Sequence, residues 1–254
     1  MGLAAPVITP AAYISARQQP DGGFAEPNGS SFPELTAWAA IALRSRGADT
    51  GGALSYLTAH EAELTTSTSI ALAALAEAAL GRDPDDLLAR LRAQPRAVNE
   101  AVWTILARRQ AGRSVPRPVV DYVLHSQARS GGFSWRRGLL PDSNDTAFAV
   151  EALRAVGVRG RPIRRAVMFL RSFQNRDGGF ELAQGRGSDA QSTAVAIQAF
   201  VAAGVKPPVR AFRYLARLRR QDGSYRYSAR YVATPVWVTS QVVPALARKP
   251  LPLH

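Results

Sequence analysis

Residues 142–157, DSNDTAFAVEALRAVG, read as the start, body and end of one amphipathic helix. Polar and acidic residues open it, apolar residues recur at helical spacing, and a glycine closes it. Aligned on Thr146-Ala147 and Ala152-Leu153, the chain yields five more imperfect copies, led by Thr36, Thr68, Asn99, Thr193 and Thr239. The lead residues are 32, 31, 47, 47 and 46 positions apart. Self-similarity at such a period marks a repeat architecture in which each unit is one supersecondary element.

Each copy is the second member of a helical pair. Before Thr36, Thr146, Thr193 and Thr239 stand amphipathic stretches at 11–18, 119–127, 163–174 and 209–220. The second helices are alanine-rich and apolar around most of their surface, the pattern of a buried helix. Gly47, Gly81, Gly112, Gly157 and Gly204 follow them, where a left-handed residue ends a helix. Pro84, Pro116 or Pro118, Pro162 and Pro208 come soon after, where a first helical turn tolerates a missing N–H. The reading is one domain over 1–254, with repeats near 11–47, 51–81, 83–112, 116–157, 162–204 and 208–248. The repeat number points to an inner ring of six parallel helices inside an outer ring, which buries the end faces that an open solenoid must cap; an open arc of six repeats is the alternative.

Composition bounds the chemistry. With 254 residues, 46% of them apolar, the chain can bury one large core. Absence of cysteine removes disulfides, thiolate zinc sites and a cysteine nucleophile. No apolar run is long enough to span a membrane. The opening MGLAAPVITPAAY lacks the basic and apolar regions of a signal peptide, and the compartment stays open between cytoplasm and secretion after removal of a leader. The net charge is +13, and the basic residues are arginines except Lys206 and Lys249. They are spread over the repeats without the aromatic-basic interleaving of RNA binders, so no specific nucleic acid is expected. A peripheral contact with an anionic membrane is compatible with that charge.

Three links between paired helices share Gln-x3-Gly-Gly-Phe: Gln18 to Phe24, Gln127 to Phe133 and Gln174 to Phe180. A fourth departs, with Arg219 where the glutamine should be and Ser224 for the second glycine, before Tyr225. These links resemble the Gln…Gly-aromatic repeats of the terpenoid cyclase and protein prenyltransferase superfamily. The resemblance implies an all-α fold, the alpha/alpha toroid. In physical terms the glycines permit a tight reversal, the glutamine serves open backbone groups, and the aromatic ring fills the gap between outer helices.

Asp142-Ser143-Asn144-Asp145-Thr146-Ala147 resembles the Asp-x-Asp-Asp-Thr-Ala motif of class II triterpene cyclases, whose middle aspartate protonates an alkene. Here that position is Asn144, which has no proton of useful acidity, while Asp142 and Asp145 match the flanking acids. The resemblance therefore nominates Asp142 and Asp145 as candidate catalytic acids. The plainer reading makes them helix-start residues, with Asp145 or Ser192 as an N-cap and Asp189 repeating Asp142. A zinc prenyltransferase site is excluded with cysteine absent; no metal and no cofactor are expected.

A closed ring has a mouth. Trp38, Trp103, Phe148 and Gln241 are expected to line or plug it, with Arg136, Arg137 and Arg186 in the loops above. Six parallel N-termini would gather open N–H groups, which suits an anion, with an apolar tail inside the ring. The leading expectation is a toroid that binds a hydrophobic ligand, isoprenoids included, or a partner at this rim without classical cyclase activity. The alternatives are a class II-like cyclase using Asp142 or Asp145, and a scaffold whose centre is filled by aromatic side chains.

Overall fold

The computed structural model describes residues 8–253. In chain order the helices alternate between two walls. The outer wall holds α1 (Pro10–Ser15), α3 (Ala53–Ala59), α5 (Asp85–Ala89), α7 (Arg117–Leu124), α9 (Arg161–Arg171) and α11 (Val209–Leu218). The inner wall holds α2 (Pro33–Ser45), α4 (Ser67–Ala79), α6 (Val98–Gln110), α8 (Ser143–Ala155), α10 (Ala190–Ala202) and α12 (Pro235–Ala247). Every inner helix has 13 residues. Each packs on the inner helices before and after it, and α12 packs on α2, so the ring is shut. This is the alpha/alpha toroid. Among the described residues only isolated bridges, such as Gln174 with Phe180, interrupt the helical pattern.

The links explain the recurring threonine. The backbone N–H groups of Phe24, Phe133, Phe180 and Tyr225 donate to Thr36, Thr146, Thr193 and Thr239 Oγ1 at 2.8–2.9 Å. Each link aromatic is buried, and its amide would have no other partner there. The glutamines behave as expected: Gln127 Nε2 donates to Gly131 O (2.9 Å) and to Pro162 O of the next outer helix (2.8 Å). At Gly131, φ is +96° and an added Cβ would lie 2.6 Å from Arg165 O, so only glycine fits. In the divergent link, Arg219 reaches Ile8 O (2.9 Å) and joins the last repeat to the start of the chain.

The structure moves one column of the alignment. Counted from the helix starts, Thr36, Thr146 and Thr193 are fourth residues, whereas Thr68 and Asn99 are second residues of α4 and α6. The repeats that lack a glycine-rich link have no aromatic amide for a fourth-position threonine to hold; Ile70 and Ala101 stand there instead. The helix starts also correct the capping assignment. Asp142 and Asp189 are the N-caps, accepting from the amides of Asp145 (2.8 Å) and Ser192 (2.7 Å). Asp145 and Ser192 stand three residues further on, as donors.

Many arginines have structural partners. At the lower end of the inner ring, Arg44, Arg109 and Arg154 Nε donate to Ala79, Ala155 and Ala202 O at 2.9, 3.2 and 2.9 Å. Each thereby satisfies a last-turn carbonyl of the next inner helix and places positive charge at its C-terminus. On the outer wall, Arg165 NH2 reaches Arg129 O (2.6 Å) and Arg217 NH2 reaches Asp177 O (2.6 Å), holding links to helices.

Candidate functional site at the mouth of the ring

Because the inner helices are parallel and equal in length, residues of the same ordinal position share a level. Second and third residues form a collar at the mouth: Thr68, Asn99, Asn144, Asp145, Gln191 and Trp237. Sixth residues, one turn below, are Trp38, Leu72, Trp103, Phe148, Val195 and Ser240. The step from collar to floor is about 6 Å at 1.5 Å per residue.

The floor is aromatic and closed. Trp38 and Phe148 come from helices on opposite sides of the ring, yet their ring centroids are 6.3 Å apart. Trp38 meets Trp103 edge-on at 5.8 Å and Trp237 at 6.4 Å, and Trp103 lies 4.9 Å from Phe148. Phe32, at the entrance to α2, stacks on Trp237 at 6.2 Å. The structure thus brings the expected Trp38, Trp103 and Phe148 together and adds Trp237 and Phe32. Gln241 is buried beside the floor, and its Oε1 has no hydrogen-bond partner among the described residues, nor does Ser240 Oγ. The expectation of a tail running down inside the ring fails at this level, because side chains from opposite walls already touch.

Below the floor a second plug closes the ring from the other end. Leu251 is buried, and its N–H donates to Glu151 Oε2 (2.5 Å). Gln110 holds Leu253 through Oε1 (2.6 Å) and Nε2 (3.2 Å). Glu151 is fully buried, its Oε1 has no partner among the described residues, and burial raises its pKa to about 8 against the opposing pull of the Leu251 amide.

Above the floor, the two lead residues without a link to hold turn to each other. Thr68 Oγ1 donates to Asn99 Oδ1 (2.7 Å), and Asn99 Nδ2 points to Asp145 Oδ1 (3.4 Å). Asn99 lies one turn above Trp103, and Asp145 one turn above Phe148, so the chain Thr68–Asn99–Asp145 crosses over the aromatic floor. Burial first, then the charge of Asp142 and a hydrogen bond with it, raise the Asp145 pKa, against the lowering pull of the Asn99 amide. The Asp145 carboxyl therefore favours its protonated form more than an exposed aspartate does. Asp142, by contrast, is committed to the helix cap.

Several of the N–H groups expected to be open at the rim have partners within the chain. Each glycine-rich link reaches back over the inner helix of the preceding repeat. Asn99 N donates to Trp135 O (3.0 Å), Ser143 N to Leu182 O (3.1 Å) and Ala190 N to Tyr227 O (2.7 Å). At the closure, Val236 N and Trp237 N donate to the Glu26 carboxylate at 2.9 and 2.8 Å. At α6, α8, α10 and α12, one or two first-turn N–H groups are thus taken by a neighbouring link. The three arginines do not converge. Arg137 lies 4.0 Å over the Tyr122 ring on the outer wall and donates to Ser126 Oγ (2.7 Å). Arg136 is exposed beside Trp135. Arg186 lines a groove of about 540 Å³ with Asp177, Tyr214 and Arg230, between the last two links.

No protein-family model matches the chain, and no curated protein sequence matches it. Solved structures do. The type II terpene cyclase MstE from Scytonema superposes with a TM-score of 0.72 at 15% identity, over 94% of this chain and 95% of that one. A variant of MstE is known in complex with geranylgeranyl dihydroxybenzoate, its substrate. The ent-copalyl diphosphate synthase of Streptomyces platensis matches with a TM-score of 0.60 at 19% identity, over 85% of this chain and 50% of that one. A glycosidase in complex with glucose matches with a TM-score of 0.68 at 14% identity, over 94% of each chain. The likeness is one of fold, the alpha/alpha toroid.

Proposed function

We propose that the protein is a terpenoid-cyclase-like toroid that binds the hydrophobic end of an isoprenoid-type molecule at its mouth. The observation that carries this reading is the aromatic floor of Trp38, Trp103 and Phe148, with Trp237 against Trp38, below the half-buried Asp145 carboxyl. Aromatic faces suit branched alkenes, and a protonated carboxyl group lets an apolar ligand settle without desolvating a charge. The likeness to MstE, which takes a geranylgeranyl substrate, supports the ligand class. The unpartnered Ser240 and Gln241 oxygens mark a polar edge where one ligand hydroxyl or carbonyl can be held.

A catalytic version has one feature in its favour, the raised pKa of the half-buried Asp145. Asp145 would transfer its proton to a terminal alkene, leaving a tertiary cation over the ring faces. Loss of a proton from the cyclised cation to a base would end the reaction. One experiment separates the readings: incubation with geranylgeraniol, geranylgeranyl diphosphate and squalene, followed by native mass spectrometry and product extraction. Retained ligand without turnover supports binding. A new cyclic hydrocarbon that is absent with Asp145→Asn establishes catalysis. If nothing is retained and nothing is formed, the ring is a scaffold.

A further inference from the structure

Arginines recur in every repeat, but acids do not. Residues 152–176 and 190–221 hold thirteen basic residues and no aspartate or glutamate, whereas the rest of the chain carries 19 basic and 19 acidic residues. The whole formal charge of +13 therefore belongs to these two stretches. Its carriers lie on α9, on α11 and in the turns beside them, with Arg154 in the last turn of α8. The acids that bound the stretches stand elsewhere. Glu151 is buried inside the ring, and Asp177, Asp189 and Asp222 belong to the links at the mouth end. Among the described residues, every ion pair lies outside the two stretches.

Along α9 these charges border a groove of about 370 Å³. Val167, Met168 and Val205 give it an apolar strip, on which Met168 is 70% exposed. Arg154, Arg159, Arg164 and Arg171 stand around the strip. Arg154 is fixed in place, donating to Ala202 O (2.9 Å) and Val158 O (3.0 Å). Burial, then the charge of Arg159, lower its pKa, as expected of a cation with no anion beside it. The preceding repeat has an equivalent crevice of different character: Val120 and Asp121 line it, and Asp121 pairs with Arg117 (3.4 Å). Aligned on Pro118 and Pro162, residues 117–121 read RPVVD and residues 161–165 read RPIRR. Arg164 and Arg165 thus stand where the earlier repeat has Val120 and Asp121.

We infer that the groove along α9 binds a single-chain amphiphilic anion, an alkyl phosphate or carboxylate, with its chain on Val167, Met168 and Val205 and its head among the four arginines. Guanidinium groups hold such heads through charge-assisted, often bidentate hydrogen bonds. The apolar strip selects against a fully polar anion, and the uncompensated charge selects against a neutral chain. The volume falls in the range of small-molecule sites. The groove is on the outer wall, so the inference is independent of what occupies the mouth of the ring.

The test is isothermal titration of the whole chain with monomeric decyl phosphate, inorganic phosphate and decanol. Decyl phosphate should bind about tenfold or more tighter than either fragment, because it alone meets both halves of the groove. Arg164→Val combined with Arg171→Gln should weaken it by about tenfold or more. Arg213→Gln combined with Arg220→Gln removes the same charge from exposed positions on the same wall, outside the groove, and should leave binding unchanged. A decyl phosphate carrying a diazirine on its chain should label residues between Arg154 and Arg171. Equally tight inorganic phosphate, equal loss in the two double variants, or no binding overturns the inference. So does label on the inner helices at the mouth, a result that would favour the ligand reading of the ring instead.

Discussion

Replacing Glu151 by glutamine should make the protein more stable in alkali and change its pH response. Glu151 is fully buried on α8, and its raised pKa of about 8 follows from burial. The unfolded chain titrates near the ordinary 4.5. Between these values the folded state holds a proton that the unfolded state has lost, so stability falls as pH rises. The contribution is intact below about pH 4.5 and fully lost above about pH 8. At 1.36 kcal/mol per pH unit, the stretch from pH 6 to pH 9 costs about 3 kcal/mol, an upper figure because the interior relaxes around a charge. Glutamine keeps the shape and a carbonyl for the Leu251 amide but cannot titrate.

The assay is a pair of urea or thermal melts at a series of pH values. Asp145 and Glu77 also have raised values, Glu77 to about 7, so both proteins should lose stability as the solution becomes alkaline. The difference between them isolates Glu151. It should grow in favour of Glu151→Gln by about 3 kcal/mol, or about 6–12 °C in Tm for a chain of this size. Parallel curves would refute the reasoning and show that Glu151 reaches water, which the seal formed by Leu251 forbids.

Two further substitutions test the links. Thr146→Val removes the acceptor for the buried Phe133 amide and the donor to Asp142 O, and should cost about 2–3 kcal/mol in urea unfolding; a loss below about 0.5 kcal/mol would show that water replaces the hydroxyl. Gly131→Ala should cost more than Gly157→Ala. Both have positive φ, but the Gly131 Cβ would collide with Arg165 O while the Gly157 Cβ meets open space. About 1 kcal/mol is expected at Gly157 and upwards of 2 kcal/mol at Gly131, read as midpoint shifts in the same melts.

Repeat number, helix pairing and closure were legible because they rest on periodic, local signals. The glycines after the inner helices all take positive φ, from +65° at Gly47 to +89° at Gly81, as their positions predict. The ends of the outer helices were overestimated by two to three residues, since the link glutamines belong to the reversal and not to the helix. The contacts that decide the site were not legible for a different reason. Leu251 meets Glu151 across 100 positions, and Glu26 caps α12 across 210, so no local pattern announces either. Trp237 does not stand out in the alignment because Thr239 is the fifth residue of α12, not the fourth. Counted from Pro235 at the helix start, it stands level with Asp145.

The mouth owes its chemistry to the two repeats that look degraded. In the four repeats with an aromatic link, the lead threonine is consumed by that link: its hydroxyl holds the aromatic amide and faces the outer wall. In the second and third repeats the link is gone, and that obligation with it. Thr68 and Asn99 sit half a turn higher, at the lip of the ring, and spend their hydrogen bonds on each other and on Asp145. Asp145 is half-buried beside a second carboxylate, surroundings that raise its pKa, while the Asn99 amide pulls it the other way. A ring of six intact links would be a symmetric structural object with every polar group at its mouth committed. Shortening two adjacent repeats breaks that symmetry on one side and leaves polar groups there over an aromatic floor. That is why the candidate site lies across α4, α6 and α8, where the sequence repeat is faintest.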